Sequence, residues 1–169
     1  MLGWNVTTCT LGESVHQLPE WKSWWRPMQA APLPAVLPAA GRISSHFGAR
    51  RHPIWGHWKP HAGVDIAHRM MSAVRATQAG IVRSARWRGG YGLCIDIEHG
   101  FGWRSRYGHL ARLAVREGEI VQAGAPIGQM GMTGLATGPH LHFELRYRGE
   151  PVDPLPLLLQ SHTVLLDKR

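Results

Sequence analysis

The stretch Gly138-Pro139-His140-Leu141-His142-Phe143-Glu144-Leu145 sets two imidazoles one residue apart. Side chains alternate across a strand, so Leu141, Phe143 and Leu145 fall on one face and His140, His142 and Glu144 on the other. Imidazole is the commonest metal ligand and the commonest general acid or base in proteins. Two of them fixed on one polar face point to a metal site with a proton-transfer group beside it. A second cluster is Pro60-His61-Ala62-Gly63-Val64-Asp65-Ile66. Fully extended, the four steps from His61 to Asp65 span about 13 Å. Donors to one zinc each lie about 2 Å from the metal. The segment must therefore bend to share an ion, and Gly63 is where it bends most easily. His61 and Asp65 make an incomplete site, and either His140 or His142 is the natural third donor. Two imidazoles and one carboxylate leave a fourth position open, the pattern of catalytic rather than structural zinc (Zn2+). Such an ion acidifies water and polarises a carbonyl. A third cluster, Arg106-Tyr107-Gly108-His109-Leu110, puts His109 after a strand-like run and before a break, at the expected rim of a sheet. A lone histidine there is more often a hydrogen-bonded surface residue than a catalytic one.

Other routes to catalysis are missing. The chain has no His-Glu-x-x-His, no Gly-x-Ser-x-Gly elbow and no phosphate-binding Gly-Lys-Ser/Thr loop. Its 2 cysteines, Cys9 and Cys94, form no Cys-x-x-Cys pair, so a thiolate zinc site is unsupported. Cys94, within Leu93-Cys94-Ile95, is expected to be a small buried residue. A Cys9–Cys94 disulfide would require an oxidising compartment. A metal hydrolase built on strands is the reading left by the residue chemistry.

The elements that must hold these residues are strands. Among 169 residues there are 20 glycines and 12 prolines, a composition of turns and short strands. Leu93, Ile95 and Ile97 alternate with Cys94, Asp96 and Glu98. Ile81 and Val82 open another strand, and Arg104-Ser105-Arg106-Tyr107 alternates toward His109. Glycines punctuate these runs. The expectation is a mainly β domain, an antiparallel sandwich or barrel-like sheet, with one weak helical candidate near Ala67 to Arg75. Residues 1–40 read as an N-terminal extension with clustered tryptophans and a Pro/Ala-rich spacer over 27–40. Residues 41–157 form the dense domain. Residues 158–169 form a tail, with a helical turn expected through Leu155 to Gln160. No run is long and apolar enough to span a membrane, and Met1 to Gln17 lacks the basic and apolar regions of a secretory signal. The net charge of +8 favours an anionic partner: nucleic acid, an anionic membrane surface or an acidic wall polymer.

Taken together, Ser45-His46-Phe47-Gly48-Ala49-Arg50-Arg51-His52-Pro53, His61-Ala62-Gly63-Val64-Asp65, Tyr107-Gly108-His109-Leu110 and the run Thr133 to Glu144 resemble the M23 (LytM/lysostaphin-type) zinc metallopeptidases. That family cuts peptide cross-links in bacterial peptidoglycan. Pro151-Val152-Asp153-Pro154 is similar to the family's usual ending. The resemblance implies an antiparallel β-sheet domain with its active site in a groove. It implies zinc held by His61, Asp65 and His142, with His109 and His140 as catalytic histidines. It further implies peptidoglycan stem peptides or cross-bridges as substrate and a place in the cell envelope, periplasmic or secreted, or on a phage-borne lysin. A monomer is expected. Two departures stand out. Many relatives carry a proline and a Gly-Thr turn after the aspartate, where this chain has Ile66-Ala67-His68-Arg69-Met70-Met71-Ser72. Some place a tyrosine where Trp55 stands, and an indole cannot donate as a phenol does. The alternative is a non-catalytic zinc-containing wall-binding protein that regulates another hydrolase; retention of all three ligands favours the enzyme. A nucleic-acid binder would rest on charge alone, since no such module is recognisable.

Overall fold

Period-two patterning becomes strand in the computed structural model, which describes residues 36–51, 56 and 58–159. In chain order the strands are β1 Arg42–Ser45, β2 Gly48–Arg51, β3 Trp58–His61, β4 Val64–Ala67, β5 Ala73–Arg75, β6 Gly80–Trp87, β7 Leu93–Gly100, β8 Trp103–Leu113, β9 Ile120–Val121, β10 Pro126–Met130, β11 His140–Tyr147 and β12 Glu150–Val152. Ten of them form one sheet with the path β1-β4-β11-β8-β7-β6-β9. Strand β10 pairs with β5 and β8, β12 pairs with β11, and β2 and β3 form a separate two-stranded hairpin. Pairings throughout are antiparallel, as expected for short strands joined by glycine turns. Among the described residues no helix is long and apolar enough to cross a membrane.

The alternation in β11 sorts as the pattern requires. Leu141, Phe143 and Leu145 enter the core at no more than 1 % exposure. Phe143 meets Tyr107 of β8 with ring centroids 5.4 Å apart. Ile95, Ile97, Val64, Ile66, Ile127 and Met130 complete that side. Cys94 is buried and unpaired, while Cys9 lies outside the described residues.

Three local expectations change. The helical candidate near Ala67 to Arg75 is instead the end of β4, a turn and β5. Sheet partners claim both ends of the segment, since Ala67 pairs with His140 and Ala73 with Gln129. In the turn, Met70 and Met71 stay 48 % and 44 % exposed. Residues 36–40 dock on the domain rather than acting as spacer. Arg75 donates its backbone N–H to the Pro38 carbonyl at 2.8 Å, and Ala39 is buried in the core. At the other end a helical turn covers 154–159 and buries Leu158, so the core extends one residue into the expected tail. Trp55 lies outside the described residues.

A candidate metal centre in a histidine-lined groove

Three chain segments converge on one point. Asp65 of β4 lies directly opposite His142 of β11 in the antiparallel register. His61 ends β3, three residues before β4 begins. Gly63 allows the connection, though through close approach rather than unusual dihedrals: a Cβ there would lie 2.1 Å from the Phe143 carbonyl oxygen. The outcome is a triangle of ligand atoms. His61 Nε2 lies 3.1 Å from Asp65 Oδ1 and 3.1 Å from His142 Nδ1, and His142 Nδ1 lies 2.9 Å from Asp65 Oδ1. All three residues are buried.

The hydrogen bonds behind the triangle determine its chemistry. His61 Nδ1 donates to the His46 carbonyl at 2.7 Å. His142 Nε2 donates to Glu144 Oε1 at 3.2 Å. With those nitrogens as donors, the neutral rings turn bare lone pairs toward the Asp65 carboxylate. Three acceptors then crowd within about 3 Å, an arrangement that requires a cation or protons between them. Donors about 2 Å from tetrahedral zinc stand at nearly this separation from one another, so the residues fit the ion. Without it, burial alone would raise the Asp65 carboxyl. Hydrogen bonds from His142 and His61 outweigh burial and hold it well below the usual carboxylate range. Burial would lower His142, but Asp65 and Glu144 reverse that and raise it.

Glu144 is the residue that sequence reasoning places on the polar face without assigning it a task. It has no exposed surface. Its Oε1 accepts from the Tyr91 hydroxyl at 2.5 Å and its Oε2 from Arg146 at 2.7 Å and Arg106 at 3.3 Å. Burial pushes the carboxyl up, yet His142, then Tyr91 and Arg106, prevail and hold it down at about 2. Arg106 is itself fixed by Asp96 through two bonds of 2.7 and 3.0 Å. A carboxylate behind a ligand histidine orients the ring and raises its basicity.

Two further imidazoles flank the triangle. His109 Nδ1 donates to the Thr133 carbonyl at 2.8 Å, and His140 Nδ1 donates to the Gly138 carbonyl at 2.8 Å. In its neutral form each ring therefore keeps Nε2 as its acceptor. The rings are 4.6 Å apart, and His140 Nε2 is 3.8 Å from Asp65 Oδ1. Burial pushes His109 down to about 4, so it is neutral at pH 7.

His109 reaches this position by a route the spacing does not reveal. Plain alternation from Tyr107, a core residue, would send His109 into the core. Between Leu93↔Leu110 and Ile95↔Tyr107, β8 advances three residues while β7 advances two. This bulge resets the alternation, so Leu110 returns to the core with no exposure. His109 takes φ 59°, a left-handed backbone rare outside glycine. It stands inside a strand rather than at a sheet rim. All five histidine and aspartate positions expected from sequence thus line one groove of about 670 Å³, together with Tyr91, Leu135 and Arg42.

A mainly antiparallel sheet with a His/Asp/His set on its strands and two further imidazoles alongside is the architecture of the β-sheet metallopeptidases. More particularly, the chain belongs to peptidase family M23, whose family model matches residues 59–154. It is 43 % identical over 120 residues to the DD-carboxypeptidase/endopeptidase Mpg of Neisseria meningitidis, covering 71 % of this chain and 28 % of the relative. It is 41 % identical over 115 residues to the peptidoglycan DD-endopeptidase ShyA of Vibrio cholerae, covering 68 % and 27 %. The chain thus spans little more than a quarter of the length of these curated relatives. Among solved structures, a zinc-containing peptidase from Vibrio cholerae superposes with TM-score 0.67 at 36 % identity, over 73 % of this chain and 39 % of that one. The catalytic domain of lysostaphin from Staphylococcus simulans superposes with TM-score 0.65 at 32 % identity, over 70 % and 92 %.

Proposed function

We propose that the protein is a zinc-dependent endopeptidase that hydrolyses peptide cross-links of bacterial peptidoglycan. His61, Asp65 and His142 hold the ion, and His109 and His140 handle protons. The observation that carries this reading is the buried triangle of three acceptors with two further imidazoles beside it. When bound, zinc supplies Lewis-acid chemistry at the peptide carbonyl and makes water more acidic. The chain's own residues do the rest. Amide hydrolysis needs a base for the attacking water's proton and an acid for the leaving amine. That His109 and His140 take these tasks through Nε2 is supported by their Nδ1 atoms, both committed to carbonyl oxygens. Burial of His109 keeps it in the proton-accepting form at neutral pH.

Peptidoglycan as substrate agrees with the relatives' names and with a net charge of +8 facing an anionic polymer. It sets the place of action in the cell envelope, periplasmic or secreted. All five site residues come from one chain, which supports action as a monomer. A wall-binding protein without catalysis would have no need of the two imidazoles outside the triangle.

Digestion of purified sacculi by the zinc-loaded protein tests the reading. His140→Ala and His109→Ala should each lower the release of muropeptides by about 10²- to 10⁴-fold, with zinc content unchanged by metal analysis. Full activity in either variant would remove that histidine from the mechanism. Activity that survives thorough chelation would remove zinc.

A further inference from the structure

We propose that Arg42 is a specificity residue that binds a carboxylate carried by the substrate residue adjoining the scissile bond. The proposal rests on the peptidase reading above and names the class of cross-link that the groove prefers.

Strand register gives the first reason. Arg42 pairs with Ala67, and Ala67 pairs with His140. Directly opposed residues of antiparallel strands share a face. Arg42, Ala67 and His140 therefore form one row across the groove floor, next to the row Ser45, Asp65 and His142. Two strand spacings, about 10 Å, separate the Arg42 and His140 backbones. The long arginine side chain can cover much of that span, and the Ala67 methyl between them leaves the way clear.

Charge gives the second. Among the described residues Arg42 is the one Lys or Arg that lines the groove. It is exposed and makes no ion pair with another described residue. By contrast Arg88, Arg106 and Arg146, on or beside the neighbouring strands, are each tied to Asp96 or Glu144. Among the described residues the one carboxylate that lines the groove, Asp65, is committed to His61 and His142. Among the described residues no carboxylate of the groove neutralises the Arg42 guanidinium, so the anion that suits it is one carried by the substrate.

The mounting gives the third. Gly41, at φ 140°, lies so close to β4 that a Cβ would stand 2.5 Å from the Ala67 carbonyl oxygen. The backbone before Arg42 is thus pressed onto the row that leads to His140. A guanidinium favours planar carboxylates in a two-point contact. A cross-link made through a diamino acid with a free carboxyl offers that group beside the scissile amide. A polyglycine bridge does not.

The test uses two synthetic cross-linked stem-peptide dimers. They differ only in whether the carboxyl beside the scissile amide is free or a carboxamide. The zinc-loaded full chain is expected to cleave the free-carboxyl dimer with about 10- to 100-fold higher kcat/KM. Arg42→Gln should lose this preference, reading the same kcat/KM for both dimers, while Arg42→Lys keeps part of the preference. Equal cleavage of both dimers by the unaltered protein would overturn the proposal, and so would a preference that persists in Arg42→Gln. If the unaltered protein cleaves neither dimer, the peptidase reading is what fails. Calorimetric titration of the same dimers then decides the role of Arg42. Tighter binding of the free carboxyl, abolished by Arg42→Gln, supports it; equal affinity refutes it.

Discussion

A carboxylate removed from water must have its lone pairs answered by donors, and Glu144 has four: Tyr91, His142, Arg106 and Arg146. The consequence is a fixed His142 ring with Nδ1 turned to the ligand triangle. Glu144→Gln keeps the shape but brings an amide donor against the donors of Tyr91 and the arginines. Zinc affinity is expected to fall by about 10- to 100-fold, measured by competition with a chromophoric chelator. An unchanged affinity would show that backbone position alone orients His142. The spacing His140-x-His142-x-Glu144 makes all three visible on one face. The role of Glu144 is not legible there, because its partners Arg106 and Tyr91 lie 38 and 53 residues away in sequence. A buried charge announces its function only when its surroundings are known.

At the scale of elements, strand pairing turns a set of residues into a site. Period-two runs make β7, β11 and the first half of β8 readable, because one face of each is buried. The bulge that redirects His109 is unreadable, since it arises from a mismatch of advance between β7 and β8 and not from the composition of either. Resemblance to a family, not periodicity, brings His109 into the expected site. The docking of residues 36–40 is hidden for a different reason: proline and alanine serve a packed edge as readily as an extended spacer. Gly63 is expected from sequence to provide a bend, but its smallness matters more. Gly63→Ala would drive a methyl against the β11 backbone. A loss of about 3 kcal/mol is expected, lowering Tm by about 10 °C, as read from a thermal melt of the metal-free protein. Wild-type stability in this variant would mean that β4 and β11 can separate freely.

For the molecule as a whole, acid sensitivity follows from a second buried polar chain, remote from the ligand triangle. His99 Nδ1 donates to the Ala79 carbonyl at 2.9 Å, while Nε2 lies 2.7 Å from the Ser105 hydroxyl, which in turn reaches Tyr107. Burial lowers the His99 imidazole from its ordinary value near 6.5. A folded state that resists the proton binds fewer protons than the unfolded chain. Its stabilising share is therefore complete above about pH 6.5 and is lost as pH falls from there through the folded value. Urea midpoints should decline as pH is taken from 7 to 5, and His99→Gln should flatten the decline; an equally steep profile would assign the acid sensitivity elsewhere. A different kind of sensitivity follows from the separateness of the β2–β3 hairpin. His61 belongs to that hairpin, whereas Asp65 and His142 belong to the large sheet. An ion shared among them, as proposed above, would be a clasp between two bodies as well as a reagent. Occupancy should tighten the whole domain by about 2.7 kcal/mol when free zinc is a hundred times its dissociation constant. After chelation, amide exchange should quicken over Gly48–Arg51 and Trp58–His61 while β7 and β8 hold their protection. Scarcity of the metal would then unlatch one wall of the groove, so that a starved protein loses its grip on the substrate along with its chemistry.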